Sequence, residues 1–395
     1  MIPELRARFN GSFSPARYQS LLARIEEACG VPTPFRVSET PCFFPSHLLE
    51  RLARAGGELI AQLVGNPEYE SVSARAVPAA YDVPGEPAHP LFVQVDFGLI
   101  RDERGEIQPR LVEIQGFPSL YAYQVALAEA YLAAYGLDLG LRYLPGGLDA
   151  ASYRRLLGRA ILGGHDAENV ILMDIDPRRQ KTLPDFTATE KWFGVPAVCI
   201  TQLHKRGRRL FYRKQGRLIP VERIYNRAIV DELERRRIRP AFDFRDDIEV
   251  EWAGHPNFYF RISKFSLPYL SHPTAPRAWF LDRIDRLPEN LDRYVLKPLF
   301  SFAGAGVVIG PTRAEIEAIP PERRGEFILQ ERVDFEPVIE TPHGPTQAEI
   351  RIMYIWLEKL EPVSTIIRMG RGKMMGVDHN RDMEWVGASA ALSQR

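Results

Sequence analysis

The sequence has few cysteines, no excess of either charge and no long apolar run. Its three cysteines are too few for a disulfide framework and too widely separated for a CxxC metal site. Lysine plus arginine equals aspartate plus glutamate at 51 each, so no net charge favours nucleic acid or an acidic membrane surface. No stretch approaches the roughly 18 apolar residues of a membrane span, and the first residues lack a signal core. We therefore expect a reduced, cytoplasmic protein that binds neither nucleic acid nor membrane.

The length of 395 residues exceeds the roughly 250 to 300 at which a single core usually stops growing, so we expect more than one domain. Residues 18–28 and 46–64 have the apolar spacing of amphipathic helices. The segment between them, residues 35–41, either connects them or forms a substrate loop. The oligomeric state is not defined by these patterns, and a homo-oligomer remains open.

Two acidic residues lie on neighbouring predicted strands near the beginning of the chain. Residues 91–97 form an apolar strand that contains Asp96, and residues 110–115 form its antiparallel return, with Glu113 and Gln115. Carboxylate and amide oxygens suit a hard cation such as Mg²⁺. The alternative is that these residues belong to a solvated strand face.

A predicted strand near the other end delivers Lys297 to a glycine-rich loop that contains Ser301, Gly304 and Gly306. Small residues let backbone N–H groups approach phosphate oxygens closely, and the ammonium adds a positive charge. The loop matches neither a Walker A sequence nor a dinucleotide GxGxxG, and an ordinary turn is the alternative. Nearby, residues 327–333 form an apolar strand whose extended backbone could pair with an adenine.

Between these segments, residues 148–261 alternate strands and helices as a parallel α/β domain does. Arg223, Asn226 and Arg227 stand at a predicted strand end, where open α/β sheets bind ligands. The two arginines could hold a substrate carboxylate by bidentate contact. Alternatively, the three residues only shape a loop.

The order of Lys264, the Lys297-Pro298 loop and Gln330-Glu331 resembles the nucleotide lobe of the ATP-grasp superfamily. Asp96 followed by Glu113-Ile114-Gln115 resembles its metal segment, with Gln115 where asparagine is usual. The metal segment precedes the lysines here, as in the circularly permuted branch that includes glutathionylspermidine synthetase and eukaryotic glutathione synthetase.

The resemblance implies an α+β ATP-grasp fold with an inserted α/β, Rossmann-like substrate domain. The implied divisions are residues 1–147, with the N-terminal helices and the metal part of the large lobe, and residues 148–261, the substrate domain. Residues 262–335 would form the nucleotide lobe, and residues 336–395 the remainder of the large lobe.

The resemblance also implies ATP and two Mg²⁺ ions as cofactors. The implied nucleotide contacts are Lys264, Lys297, Ser301, Gly304, Gly306, Gln330, Glu331, Val333 and Glu349. The implied metal ligands are Asp96, Glu113 and Gln115, and the implied catalytic residues are Arg351, Arg368 and Asn380. Surface charge on an antiparallel sheet is the alternative for the residues after 345.

These expectations favour an ATP-dependent carboxylate–amine or carboxylate–thiol ligase that forms an acyl phosphate on a small molecule or peptide. A phosphotransferase that uses the same lobe is one alternative. Another is a nucleotide-binding regulatory protein without turnover, because Gln94 and Gln115 both depart from the residues common in the resembled enzymes.

Overall fold

The computed structural model describes residues 1–137, 140–301 and 304–394. The helices are α1 (Pro3–Ser12), α2 (Pro15–Cys29), α3 (Ser46–Ala61), α4 (Pro67–Ala74), α5 (Tyr121–Tyr135), α6 (Ala150–Leu162), α7 (Leu183–Phe193), α8 (Val230–Arg236), α9 (Phe258–Arg261) and α10 (Arg313–Glu317). The strands are β1 (Cys42–Phe43), β2 (Phe92–Arg101), β3 (Ile107–Gln115), β4 (Val170–Asp174), β5 (Ala197–Cys199), β6 (His204–Arg206), β7 (Arg209–Lys214), β8 (Arg217–Val221), β9 (Arg223–Asn226), β10 (Glu251–Ala253), β11 (Ala278–Phe280), β12 (Tyr294–Pro298), β13 (Val308–Ile309), β14 (Phe327–Glu331), β15 (Gln347–Trp356), β16 (Leu360–Gly370), β17 (Gly387–Ser389) and β18 (Ala391–Leu392).

An antiparallel sheet in the order β17-β16-β15-β2-β3 joins strands from both ends of the chain. Side chains alternate between its two faces, so Val95 and Phe97 enter the apolar core while Asp96 faces the other way. Asp96 pairs with Glu113 on β3 and with Arg351 on β15, which places the three residues in one row across the sheet. The predicted pairing of the first two strands is confirmed.

Helix α3 covers the apolar face of this sheet. Its apolar stripe, which includes Leu52 and Leu59, packs in the same buried cluster as Ile350. Gly56 is required at the contact, because a Cβ there would collide with the Tyr354 hydroxyl group. The amphipathic spacing of residues 46–64 thus predicted both the helix and its buried face.

The middle of the chain forms a parallel sheet in the order β10-β9-β4-β5, accompanied by an antiparallel β6-β7-β8 sheet. Helix α6 begins with a capping box in which Asp149 and Ser152 exchange hydrogen bonds. The parallel α/β organisation predicted for this region is confirmed by the strand directions.

Helix α5 was not predicted from the sequence. It is apolar almost all round and contacts α2, α7 and β16. A helix covered on several sides has no polar face, so the 3.6-residue periodicity that reveals surface helices is absent.

A smaller sheet has the order β11-β14-β12-β13, with β14 paired on both sides. Residues 262–335 contain this sheet. The five-stranded sheet instead combines strands from residues 1–147 with strands from residues 336–395. The exact boundaries at 147, 261 and 335 remain predictions. Within the described ranges, no helix combines the length and apolar character needed to cross a membrane.

Candidate functional site

A cleft of about 920 Å³ is lined by residues from the five-stranded sheet and from the β11-β14-β12-β13 sheet. It brings together most of the residues that the sequence singled out near the two ends of the chain. These lining residues are Asp96, Glu113, Gln115, Lys264, Lys297, Gly304, Gln330, Glu331, Val333, Glu349, Arg351 and Arg368. Asp96 and Glu113 thus share one cleft with Lys297.

Asp96 is the centre of a buried ionic cluster and is only 2% exposed. Arg351 binds both of its carboxylate oxygens, with Nη2 2.6 Å from Oδ2, and Arg368 Nη2 lies 2.5 Å from the same Oδ2. Burial alone would raise the pKa of Asp96, but the two guanidinium groups outweigh it and lower the pKa below its ordinary value. The cluster therefore contains an ionised aspartate.

Arg368 also bridges to Glu349, with Nη2 2.7 Å from Oε1. Burial raises the pKa of Glu349, and Arg368 partly opposes that rise. The Nε of Arg368 has no hydrogen-bond partner among the residues described. This guanidinium consequently retains donor capacity beside the cleft.

Two lysines flank the strand that carries Glu113. Lys264 Nζ donates to the Ser301 carbonyl at 2.6 Å and lies 3.6 Å from Glu113 Oε1. Lys297 Nζ donates to the Val112 carbonyl at 2.9 Å. Burial lowers the pKa of Lys297 to about 8, with Glu113 opposing the shift. An anion that entered the cleft would stabilise both ammonium groups.

Gln330 reaches the cleft from β14 and is 1% exposed. Neither its amide nitrogen nor its amide oxygen has a hydrogen-bond partner in the described part of the chain. An unsatisfied buried polar group costs about 1–3 kcal/mol. A ligand that supplied a donor and an acceptor would remove this cost.

The glycine-rich loop after β12 is described only in part, since Phe302 and Ala303 lie outside the described residues. Gly304 and Gly306 have φ angles of +76° and +70°, which favour glycine. A Cβ on Gly306 would lie 2.8 Å from Pro298 Cγ. These requirements hold for a phosphate-binding loop and for an ordinary turn alike.

Asn380 does not line the cleft, in contrast to its predicted catalytic role. Its oxygen accepts from the backbone N–H groups of Arg371 and Gly372 at 3.1 and 3.0 Å. Its nitrogen donates to the carbonyls of Met374 and Gly376 at 2.8 and 3.2 Å. The buried amide therefore shapes the loop that follows β16 and has little capacity left for a phosphate.

The predicted substrate residues of the middle domain also lie away from the cleft. Arg223 donates to the last carbonyls of α6, from Ala160 and Ile161, both at 3.0 Å. The side chain of Asn226 accepts from the N–H of Ala228 at 3.2 Å, which leaves it shaping a turn.

Arg227, the third of these residues, forms a buried ion pair with Asp185, with Nη1 2.6 Å from Oδ2. The other oxygen of Asp185 accepts from Ala122 and Tyr123 at the start of α5. Strand-end position alone did not reveal that Arg223 donates to the end of α6 and that Arg227 pairs with Asp185 on α7.

We predict that the buried carboxyl group of Asp174, at the end of β4, makes the free energy of unfolding depend on pH. Burial raises its pKa to about 7 from 3.8. Between these values the folded state binds more protons than the unfolded state, so stability falls as pH rises. Asp174→Asn removes this loss, and its stability relative to wild type should increase by up to about 3 kcal/mol between about pH 5 and about pH 8. Urea unfolding at both pH values measures the difference, and an unchanged difference would contradict the assignment.

The oxygen donors near Glu113 fit a hard cation by their chemistry. No group of three or more histidine, cysteine, aspartate or glutamate side chains suited to a metal occurs among the described residues. The candidate donors are instead two carboxylates, Asp96 and Glu113, and the amide of Gln115. Glu113 is the accessible one, because its side chain is 26% exposed while the arginines cover Asp96.

Lys373 and Gln124 are among the polar cleft-lining residues that the sequence predictions did not single out. Lys373 lies in the loop after β16, and the glycines around this lysine in the sequence are the pattern that could have identified it. Gln124 lies on the buried helix α5, and its position as a single amide among apolar residues is the pattern that could have identified it.

No family model and no curated protein matches this sequence. Among solved structures, the chain is similar to a glutathione synthetase-like effector, GSS30, from Globodera pallida in its apo form. The two share 12% sequence identity and a TM-score of 0.57, over 95% of this chain and 97% of that chain. The chain therefore has a mixed α+β fold that resembles a glutathione synthetase-like structure.

Proposed function

We propose that this protein is an ATP-dependent ligase that joins a carboxylate to an amine or a thiol through an acyl phosphate. The observation that carries the proposal is the convergence of Lys264, Lys297, Arg351 and Arg368 with Asp96 and Glu113 in one cleft. The two carboxylates come from residues 96–113 and the four cations from residues 264–368, and 255 residues separate Asp96 from Arg351.

The cleft suits a nucleotide in both charge and hydrogen bonding. Lys264, Lys297, Arg351 and Arg368 offer four positive charges to a polyanion, and the formal charges of the whole cleft lining balance, so the cleft suits a nucleotide that brings its own Mg²⁺. At the β14 end, the amide of Gln330 can donate to N7 and accept from N6 of an adenine, the pairing that glutamine makes with adenine in DNA recognition. The proposed ATP thus lies with its base at Gln330 and its phosphates near the lysines.

Asp96, Glu113 and Gln115 are the residues that would hold Mg²⁺. The metal, when bound, supplies positive charge that neutralises the phosphates and polarises the transferring group. Arg351 and Arg368, which now neutralise Asp96, would then turn towards the γ-phosphate.

The reaction that follows requires positioning more than covalent help from the protein. A substrate carboxylate oxygen attacks the γ-phosphorus, and ADP leaves as the acyl phosphate forms. The amine nitrogen then attacks the acyl carbon, phosphate leaves, and the nitrogen loses a proton to solvent. Lys297, Arg351 and Arg368 stabilise the charge that spreads over the phosphoryl oxygens.

The proposal includes a circularly permuted ATP-grasp arrangement. Two features support it. Strands β2 and β3 precede the lysines in sequence yet share a sheet with β15, and the parallel α/β region lies between β3 and the lysines in sequence. Residues 1–147 and 336–395 would then form one large lobe, residues 262–335 the nucleotide lobe and residues 148–261 the inserted domain.

The test is ADP release from Mg-ATP with pools of candidate acids and amines. We expect Mg-ATP to raise the melting temperature, because a ligand selective for the folded state stabilises it by mass action. We expect ADP release to need both an acid and an amine or thiol. ADP release with a single phosphoryl acceptor, and without a second substrate, would favour a phosphotransferase. Absence of a melting shift at millimolar Mg-ATP would contradict nucleotide binding itself.

A regulatory protein without turnover is the second candidate function. It is favoured by the engagement of both Asp96 oxygens by Arg351, which leaves this carboxylate satisfied without a ligand. Binding of a nonhydrolysable ATP analogue with no ADP release under any substrate pool would select this alternative.

A further inference from the structure

Gln124 marks a second part of the cleft that the nucleotide does not explain. It lies on α5, is 3% exposed and lines the cleft together with Phe35 and Leu120. Within the described residues, neither its amide nitrogen nor its amide oxygen has a hydrogen-bond partner. Buried side-chain amides are normally hydrogen-bonded, so the pair of unused groups points to a ligand.

The surroundings of Gln124 favour a neutral ligand group. Phe35 and Leu120 are apolar, and the nearby helix start offers no free anion site because Asp185 accepts from the N–H groups of Ala122 and Tyr123. Lys181 and Asp378, which also line the cleft, neutralise each other at 2.6 Å. A neutral group buried beside Gln124 would lose less hydration than a charged one.

We propose that Gln124 recognises a carboxamide of the second substrate, a proposal that rests on the ligase function proposed above. A primary carboxamide presents an N–H donor beside a carbonyl acceptor, so it can satisfy both groups of Gln124 at once. A carboxylate at the same place would accept from the amide nitrogen but leave the amide oxygen unpaired. Gln124 is thus a specificity residue for the second substrate.

The test compares matched amides and acids, each with and without Mg²⁺ and a nonhydrolysable ATP analogue. The probes are L-glutamine against L-glutamate, L-asparagine against L-aspartate, and propionamide against propionate. Ligand-observed NMR titration measures affinity for wild type, Gln124→Met and Gln124→Asn. Wild type should bind at least one amide about tenfold more tightly than its acid, as expected for one additional buried hydrogen bond. Both variants should lose that preference and bind the ATP analogue unchanged.

Stability provides an independent readout. Gln124→Met removes two unsatisfied groups, so its free energy of unfolding should equal or exceed that of wild type. A large loss would mean that the amide has a structural partner, and would overturn the proposal. Equal or tighter binding of every acid, no binding of any amide, or an amide preference retained in both variants would also overturn it. Failure of the ATP analogue to bind contradicts the ligase instead, because amide binding is measured separately without nucleotide.

Discussion

Glu113→Gln should reduce ADP formation by about 100-fold or more while leaving the fold and most of the ATP-analogue affinity intact. The substitution keeps size and hydrogen bonding but removes the accessible carboxylate of the proposed cation site. Charge stabilisation of a transferring phosphoryl group is worth several kcal/mol, which corresponds to this loss. An ADP-release assay at saturating Mg²⁺, paired with isothermal titration of the analogue, measures the two effects.

Two comparison variants sharpen the Glu113 experiment. Glu103→Gln makes the same chemical change on an exposed residue between β2 and β3, and should leave both measurements unchanged. Lys297→Ala should weaken analogue binding as well as turnover, because its ammonium would contact phosphates already in the ground state. If Glu113→Gln turned over ATP at the wild-type rate, the proposed metal role of Glu113 would be wrong.

Arg227→Met should destabilise the protein by about 3–5 kcal/mol, because it leaves the Asp185 carboxylate buried without its counter-charge. Asp185 is fully buried, and the two charges are 2.6 Å apart. The midpoint of urea unfolding should fall with little change in slope.

The double variant Arg227→Met/Asp185→Asn separates charge from packing. It removes both charges and should recover part of the lost stability, since the remaining amide can still accept from the start of α5. Below the melting transition, ADP release by Arg227→Met should match wild type. Loss of substrate affinity in the folded variant would instead restore Arg227 to the substrate site.

The sequence predicted the strands that build the cleft because their signals are local. The apolar strand at residues 91–97 and its return at residues 110–115 predicted a hairpin, and the lysine–glycine segment predicted a strand followed by a tight loop. Their convergence in space followed from the resemblance, since no local pattern predicts that β2 pairs with β15.

Side-chain partners were less predictable than strands. Arg223 and Arg351 are both arginines on apolar strands, yet one donates to the end of a helix and the other to Asp96 in the cleft. Asn380 directly follows residues 376–379, which line the cleft, but it does not line the cleft itself, and the sequence does not show whether a buried amide serves a loop or a ligand. These distinctions depend on which neighbouring element packs over each residue, and that is a tertiary property.

The five-stranded sheet imposes an order on biosynthesis. Domains generally fold as they leave the ribosome, N-terminal parts first. Asp96 is translated 255 residues before Arg351 and 272 before Arg368, so its carboxylate cannot be buried with its counter-charges until nearly the whole chain has emerged. The hairpin of β2 and β3 must wait with an unpaired edge until β15 arrives, and unpaired strand edges are prone to aggregation. A product that stopped before β15 would lack both arginines and would expose that edge permanently.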